Sequence, residues 1–182
     1  LSSEIVGPFT SSTGWTSSTG AFQNCAYYSG QHPCVNGSTG ELSFAYIDGN
    51  YVYRDVTLNL NATALNFAAD YKKGGNGTDT GKLQLIFLNA NNAQVGSAAE
   101  TSTLTGGVSY QSASLSNITI PAGATKVRVV LYQITEGEYW AGNYGMVFKG
   151  ISVTDNAPIA ATAITGANSS TYTPSTSTVG TL

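Results

Sequence analysis

Between positions 136 and 144 the chain reads Glu-Gly-Glu-Tyr-Trp-Ala-Gly-Asn-Tyr. Glu138, Tyr139, Trp140, Asn143 and Tyr144 are residue types that hold sugars: a flat ring packs on the apolar face of a pyranose, while carboxylate and amide tips read its hydroxyls. A plainer role also suits them, with Trp140 closing one end of a hydrophobic core. A second aromatic pair, Tyr51 and Tyr53, is spaced two apart and so shares one face of a strand. Catalysis has less to stand on. Two carboxylates suffice for glycoside hydrolysis, and Glu136, Glu138, Asp48, Asp55 and Asp70 are the candidates. A Ser-His-Asp arrangement would have to use His32, the single histidine, which lies beside Pro33, and no nucleophile-elbow pattern occurs. The expectation is a binding or structural protein with no catalytic residue.

Cys25 and Cys34 are the only cysteines. They lie nine positions apart across a stretch with Gly30 and Pro33, and a local disulfide is the natural reading. A metal alternative lacks ligands, because His32 stands alone and no third cysteine exists. Five Asn-x-Ser/Thr sequons, at Asn36, Asn61, Asn76, Asn117 and Asn168, are candidate glycosylation sites. The abundance of Asn, Ser and Thr produces such triplets by chance, but Asn36, Asn61 and Asn76 fall in expected turns and Asn168 in the tail, where a bulky glycan is tolerated.

Charged residues make up 9% of the chain, against about 25% in an average soluble protein. Polarity here comes from hydroxyls and amides, which suits an extracellular, secreted or cell-surface protein. The net charge of -3 includes no basic stripe, and Lys72-Lys73 is the only adjacent cationic pair. Nucleic-acid binding is therefore not expected, since the phosphate contribution needs clustered Lys and Arg. No stretch is long and apolar enough for a membrane span, and the start at Leu1 reads as a processed terminus.

Period-two patterns dominate, so strands must position these residues, and helix is expected to be nearly absent. From Tyr51 to Leu60 the even positions (Val52, Arg54, Val56, Leu58, Leu60) form the buried face and the odd positions the wet one. After a turn at Asn61-Ala62, Leu65, Phe67, Ala69 and Tyr71 share the next buried face. Lys82 to Leu88 and Lys126 to Ile134 are the strongly apolar, central strands. Val108 to Ile120 and Met146 to Val153 are further strands, and Glu4 to Phe9, Ala21 to Tyr28 and Glu41 to Ile47 shorter ones. About eight to ten strands imply an all-β fold of two packed antiparallel sheets. The domain is expected to occupy residues 1-155, with an extended Ser/Thr-rich tail or linker at 156-182 that has no charged side chain.

The succession GNYVYRDVTLNL, TALNFAADYKK, KLQLIFLNANNAQVG, ITIPAGATKVRVVLYQ and NYGMVFKGISVTD, over residues 49 to 155, resembles the jelly-roll carbohydrate-binding modules of the galactose-binding-like group. That resemblance implies an antiparallel jelly-roll β-sandwich and, in function, a non-catalytic module that holds polysaccharide for a larger secreted protein. Such modules often carry an Asp in the closing strand that helps to hold a structural calcium. The matching stretch here is Tyr144-Gly145-Met146-Val147-Phe148, which leaves Glu4 and Asp155 as oxygen donors, few for a cation that takes six to eight. No cofactor is expected.

The tail supports a different expectation. Pro158, Ile159, Ala161, Ala163 and Ile164 can add a strand to an exposed sheet edge of a neighbouring copy through main-chain hydrogen bonds. A head-to-tail contact of that kind repeats into a filament. The organisation looks like that of an extracellular glycoprotein fibril subunit with donor-strand or linker exchange. On this reading the partners are copies of the chain itself and covalent glycans. On the module reading the partner is polysaccharide.

Overall fold

The computed structural model describes residues 3–25, 32–44, 48–74, 78–137 and 145–158. Within them lie twelve strands: β1 (Ser3–Val6), β2 (Thr16–Ser17), β3 (Cys34–Asn36), β4 (Glu41–Ser43), β5 (Asn50–Thr57), β6 (Ala64–Lys73), β7 (Thr80–Leu88), β8 (Ala99–Glu100), β9 (Leu104–Thr105), β10 (Gln111–Thr119), β11 (Lys126–Thr135) and β12 (Met146–Asp155). No helix occurs among the described residues. Every strand pairing is antiparallel.

Two six-stranded sheets result. The first runs β10-β6-β12-β4-β3, with β1 also on β12; the second runs β2-β5-β11-β7-β8, with β9 also on β7. The core is the space between them. Leu65, Phe67 and Ala69 of β6, with Phe148, Ile151 and Val153 of β12, face Leu83, Leu85 and Phe87 of β7 and Val127, Val129 and Leu131 of β11. Each such side chain removed from water contributes about 1.5–3 kcal/mol, and alternation along the strands commits every second residue to this layer. Phe44 meets Phe148 edge-on at 5.9 Å. The fold is therefore the all-β sandwich expected from the sequence, with β7 and β11 interior to their sheet.

Some local expectations are corrected. Leu60, placed on the buried parity, is 98% exposed, because β5 ends at Thr57 and the chain turns before Leu60 can follow the alternation. Residues 21–25 are not a strand, and Val108 lies outside β10 and is exposed. Unexpected are β2, β8 and β9, each two residues long. The packed body also reaches slightly beyond Asp155. The Asn156 Oδ1 accepts the main-chain N–H groups of Thr63 (2.9 Å) and Ala64 (3.0 Å), and Ala157 is buried. This amide caps the entry to β6 and ties the end of the domain to it.

The expected disulfide forms between Cys25 and Cys34, with Cα atoms 5.2 Å apart. His32, beside that bridge, has its Nδ1 3.0 Å from Thr19 Oγ1, which gives the ring a structural partner.

Candidate functional site

Registers across the second sheet determine what its outer surface presents. Residues that point away from the core on β5, β11 and β7 fall into rows: Tyr51 with Tyr132 and Lys82, Tyr53 with Val130 and Gln84, Asp55 with Arg128 and Ile86. On β8, Glu100 extends the middle row beyond Gln84. Val130 points outward yet is only 2% exposed, because the longer side chains around it close over its flanks. A shallow groove of about 150 Å³ results, lined by Tyr51, Gln84, Ile86, Arg128, Val130 and Tyr132. Its floor is aliphatic, one wall is aromatic, and its rim carries an amide and a guanidinium.

The walls are held in place. The Tyr51 and Tyr132 rings stack nearly parallel, 5.7 Å apart with 7° between their planes, and Tyr53 leans on Tyr51 at 6.2 Å. Arg128 lies 4.1 Å above the Tyr53 ring and Lys82 5.3 Å from the Tyr132 ring, so a cation caps each end of the aromatic row. Each cation is in turn fixed by a carboxylate. Arg128 donates from Nε and Nη2 to the two oxygens of Asp55 (2.7 and 2.8 Å), and Lys82 donates to Glu100 Oε2 at 2.7 Å, which also accepts from Gln84 Nε2 at 2.9 Å. The bond to Asp55 raises the Arg128 pKa above its usual value, and the bond from Lys82 lowers that of Glu100. Two cationic and two acidic side chains thus pair over the groove, with no net formal charge.

The outer surface of the first sheet is different. On it the phenol of Tyr110 donates a short hydrogen bond to Glu41, while Lys149 and Lys72 lie 3.8 and 4.7 Å from the ring centre. Burial, then the bond to Glu41, pushes the Tyr110 pKa well above the ordinary tyrosine range, and the same bond holds Glu41 below the usual carboxylate value. Two ammonium groups already occupy this ring. The rest of that face is largely Ser, Thr, Ala and Asn.

The sequence-expected sugar residues Glu138, Tyr139, Trp140, Asn143 and Tyr144 lie outside the described residues. The start of their loop is described and is pinned twice: Glu136 N donates to Asp48 Oδ1 (2.7 Å), and Gly137 N donates to Asp79 Oδ1 (3.0 Å). Asp79 is 2% exposed, and its other oxygen accepts Gly74 N at 3.2 Å. These two carboxylates serve as main-chain acceptors, and Asp55 is committed to Arg128. Tyr51 and Tyr53 do share an outer face. Their partner Tyr132 was missed in the sequence, although Arg128, Val130 and Tyr132 share a parity within a run that otherwise reads as core.

Of the remaining candidates, Asn36, Asn61 and Asn117 are described, and Asn76 and Asn168 are not. Of the expected inter-subunit strand only Pro158 is described, and it is exposed; Ile159, Ala161, Ala163 and Ile164 lie outside. Asp155 pairs in register with Ser3, and its Oδ1 accepts the Ser3 hydroxyl (2.8 Å) and Ala157 N (3.1 Å), while Oδ2 is buried without a partner. Among the described residues no three His, Cys, Asp or Glu side chains come together as metal ligands, and there is no helix long and apolar enough to cross a membrane.

No protein-family model and no curated protein matches the chain. Solved structures do. The chain is similar to the CBM22-1-GH10 modules of the endo-1,4-beta-D-xylanase 10B of Clostridium thermocellum, complexed with xylohexaose (TM-score 0.57, 15% identity over 90% of this chain and 31% of that one). It is similar also to the C-terminal family 22 carbohydrate-binding module of that xylanase, studied for the role of its cleft residues in ligand binding (TM-score 0.51, 14% identity, 86% of this chain and 96% of that one). A third likeness, to the enzymatically active domain of the bacteriophage CBA120 tailspike protein 4, has a TM-score of 0.46, 12% identity, and covers 63% of this chain. The chain thus spans 15% and 31% of the longer structures and nearly all of the isolated module. At these identities the likeness concerns the fold: the chain has the antiparallel jelly-roll sandwich architecture of carbohydrate-binding modules.

Proposed function

We propose that the chain is a non-catalytic carbohydrate-binding module and that it binds along the outer face of the second sheet, in the groove between Tyr51, Tyr132 and Arg128. The observation that carries this reading is the outward Val130, a dry aliphatic floor set between a stacked tyrosine pair and a polar rim. A pyranose has an apolar C–H face and a ring of hydroxyls. Val130 and Ile86 accept the first, while the Gln84 amide, the Arg128 guanidinium and the tyrosine hydroxyls address the second. The rim is already braced by Asp55 and Glu100, so little side-chain freedom is lost on binding.

The similar CBM22-1-GH10 modules of the xylanase are complexed with xylohexaose, which supports polysaccharide as the partner class. The disulfide fits an oxidising compartment outside the cytosol. Docking of the 158–164 segment on a neighbouring copy, the other expectation, has no comparable support among the described residues.

The reading is tested by retention on a panel of immobilised and soluble polysaccharides, comparing the chain with Val130→Lys. The long side chain fills the groove from its floor without entering the core, so the variant should fold and lose retention. Retention unchanged in a folded Val130→Lys protein would remove the groove from the account.

A further inference from the structure

The most exposed large apolar side chain among the described residues is Leu60, at 98%. It does not wave at the end of a loose loop. Asn59 Oδ1 accepts Asn61 N at 3.0 Å, and Ala62 N donates to Asn59 O at 3.0 Å, so a closed turn holds Leu60 outward. Beside it is a groove of about 160 Å³ whose apolar lining is Leu58, Leu60, Ala62, Ile120 and Ala124. An apolar side chain held outward beside an apolar groove is surface that a covering group would remove from water.

Asn61 stands between two of the lining residues and opens the sequon Asn61-Ala62-Thr63. Its side chain is exposed and is not engaged by any other described residue. Asn36 is the opposite case. It is half-buried, its Oδ1 accepts Ser38 N at 3.1 Å, and the middle residue Gly37 packs so tightly that a Cβ there would meet the Thr10 carbonyl oxygen at 2.1 Å.

We infer that Asn61 carries an N-linked glycan whose first sugars lie on Leu60 and the groove beside it. In the transfer, the Asn61 side-chain nitrogen attacks the anomeric carbon of an oligosaccharide linked to a polyprenyl phosphate or diphosphate. The N–C bond forms, the C–O bond to phosphate breaks, the nitrogen loses one proton, and the lipid phosphate leaves. The C–H face of the attached sugar then removes Leu60 from water while its hydroxyls remain solvated. Asn61 lies four residues beyond Thr57, the last residue of β5, and Tyr51 is near its first; the strand from Tyr51 to Thr57 spans about 20 Å, so the attachment point is at the other end of β5 from the stacked tyrosines. This inference does not depend on the proposed sugar-binding function.

The test is glycopeptide mapping by electron-activated fragmentation of the protein isolated from its natural source. A glycan mass on Asn61, with Asn36 recovered bare, is the expected result. Recovery of bare Asn61 would overturn the inference, and a concentration-dependent dimer lost in Leu60→Ser would then assign the patch to a second copy. The covering role has its own readout. Asn61→Gln expressed in the same source should bind a hydrophobic dye several-fold more than the glycosylated protein, and adding Leu60→Ser should reverse the gain. Equal dye binding with and without the glycan would refute the cover even where the sugar is present.

Discussion

Tyr51 and Tyr132 face each other directly across the β5–β11 ladder, and their rings stack 5.7 Å apart with 7° between their planes. The pairing is a consequence of register: a slip by one residue would send one of the two rings into the core. It also builds the wall of the groove. With Lys82 beyond Tyr132 and Arg128 beyond Tyr53, the row is braced at both ends.

The brace at Arg128 is a geometric device more than a stabilising one. Its bidentate contact with Asp55 is solvent-accessible on both sides, and accessible ion pairs contribute at most about 1 kcal/mol. A double-mutant cycle on Arg128→Ala and Asp55→Ala, read by denaturant unfolding, should give a coupling energy no larger than this. Asp55→Asn should leave the protein folded and weaken carbohydrate binding through the unfastened guanidinium.

Gly81 sets the closeness of β7 to β11 directly beneath the tyrosines. A Cβ at this position would lie 2.5 Å from the Tyr132 carbonyl oxygen and 3.3 Å from the Phe148 ring, and neither can withdraw without moving a strand. Gly81→Ala should therefore destabilise the domain by about 2–4 kcal/mol, visible as a lowered denaturation midpoint.

Tyr110 and Glu41 make a pH prediction on the opposite face. Tyr110 has its pKa raised by burial and by the bond to Glu41, whereas in the unfolded chain it titrates near 10. Its contribution to stability is complete below about pH 10 and is lost as pH rises further. Glu41, held below its ordinary value, contributes above about pH 4.3 and loses that contribution as pH falls. In Tyr110→Phe the stability profile should flatten at both ends, with about 1 kcal/mol lost at neutral pH. Chemical unfolding across pH 3 to 11 reads this directly.

The Cys25–Cys34 bridge closes a loop of nine positions. Replacing both cysteines with serine should cost about 2–3 kcal/mol and leave carbohydrate binding intact once the domain is folded.

Much of this architecture was legible locally. The alternation in β6 places Leu65, Phe67, Ala69 and Tyr71 on the buried face, and the count of two cysteines sufficed for the bridge. The groove was only half legible. Tyr51 and Tyr53 share a parity that any strand reveals, but Tyr132 becomes their neighbour only through a pairing between distant segments, and its strand reads as strongly apolar. The outward Val130 looks like core in sequence for the same reason. Leu60 misled because parity holds only as far as the strand does. The strands β2, β8 and β9 are too short to show any period, and exist because longer neighbours offer them an edge.

The central claim, that this groove binds sugar, is tested most directly by calorimetric titration of the oligosaccharide derived from whichever polysaccharide retains the chain. Tyr51→Ala and Tyr132→Ala should each weaken binding about tenfold or more, a loss of about 1.4 kcal/mol, with the fold retained by circular dichroism. Tyr110→Ala, which removes the ring on the opposite face, should leave the affinity unchanged. Full affinity in Tyr51→Ala and Tyr132→Ala would contradict the account.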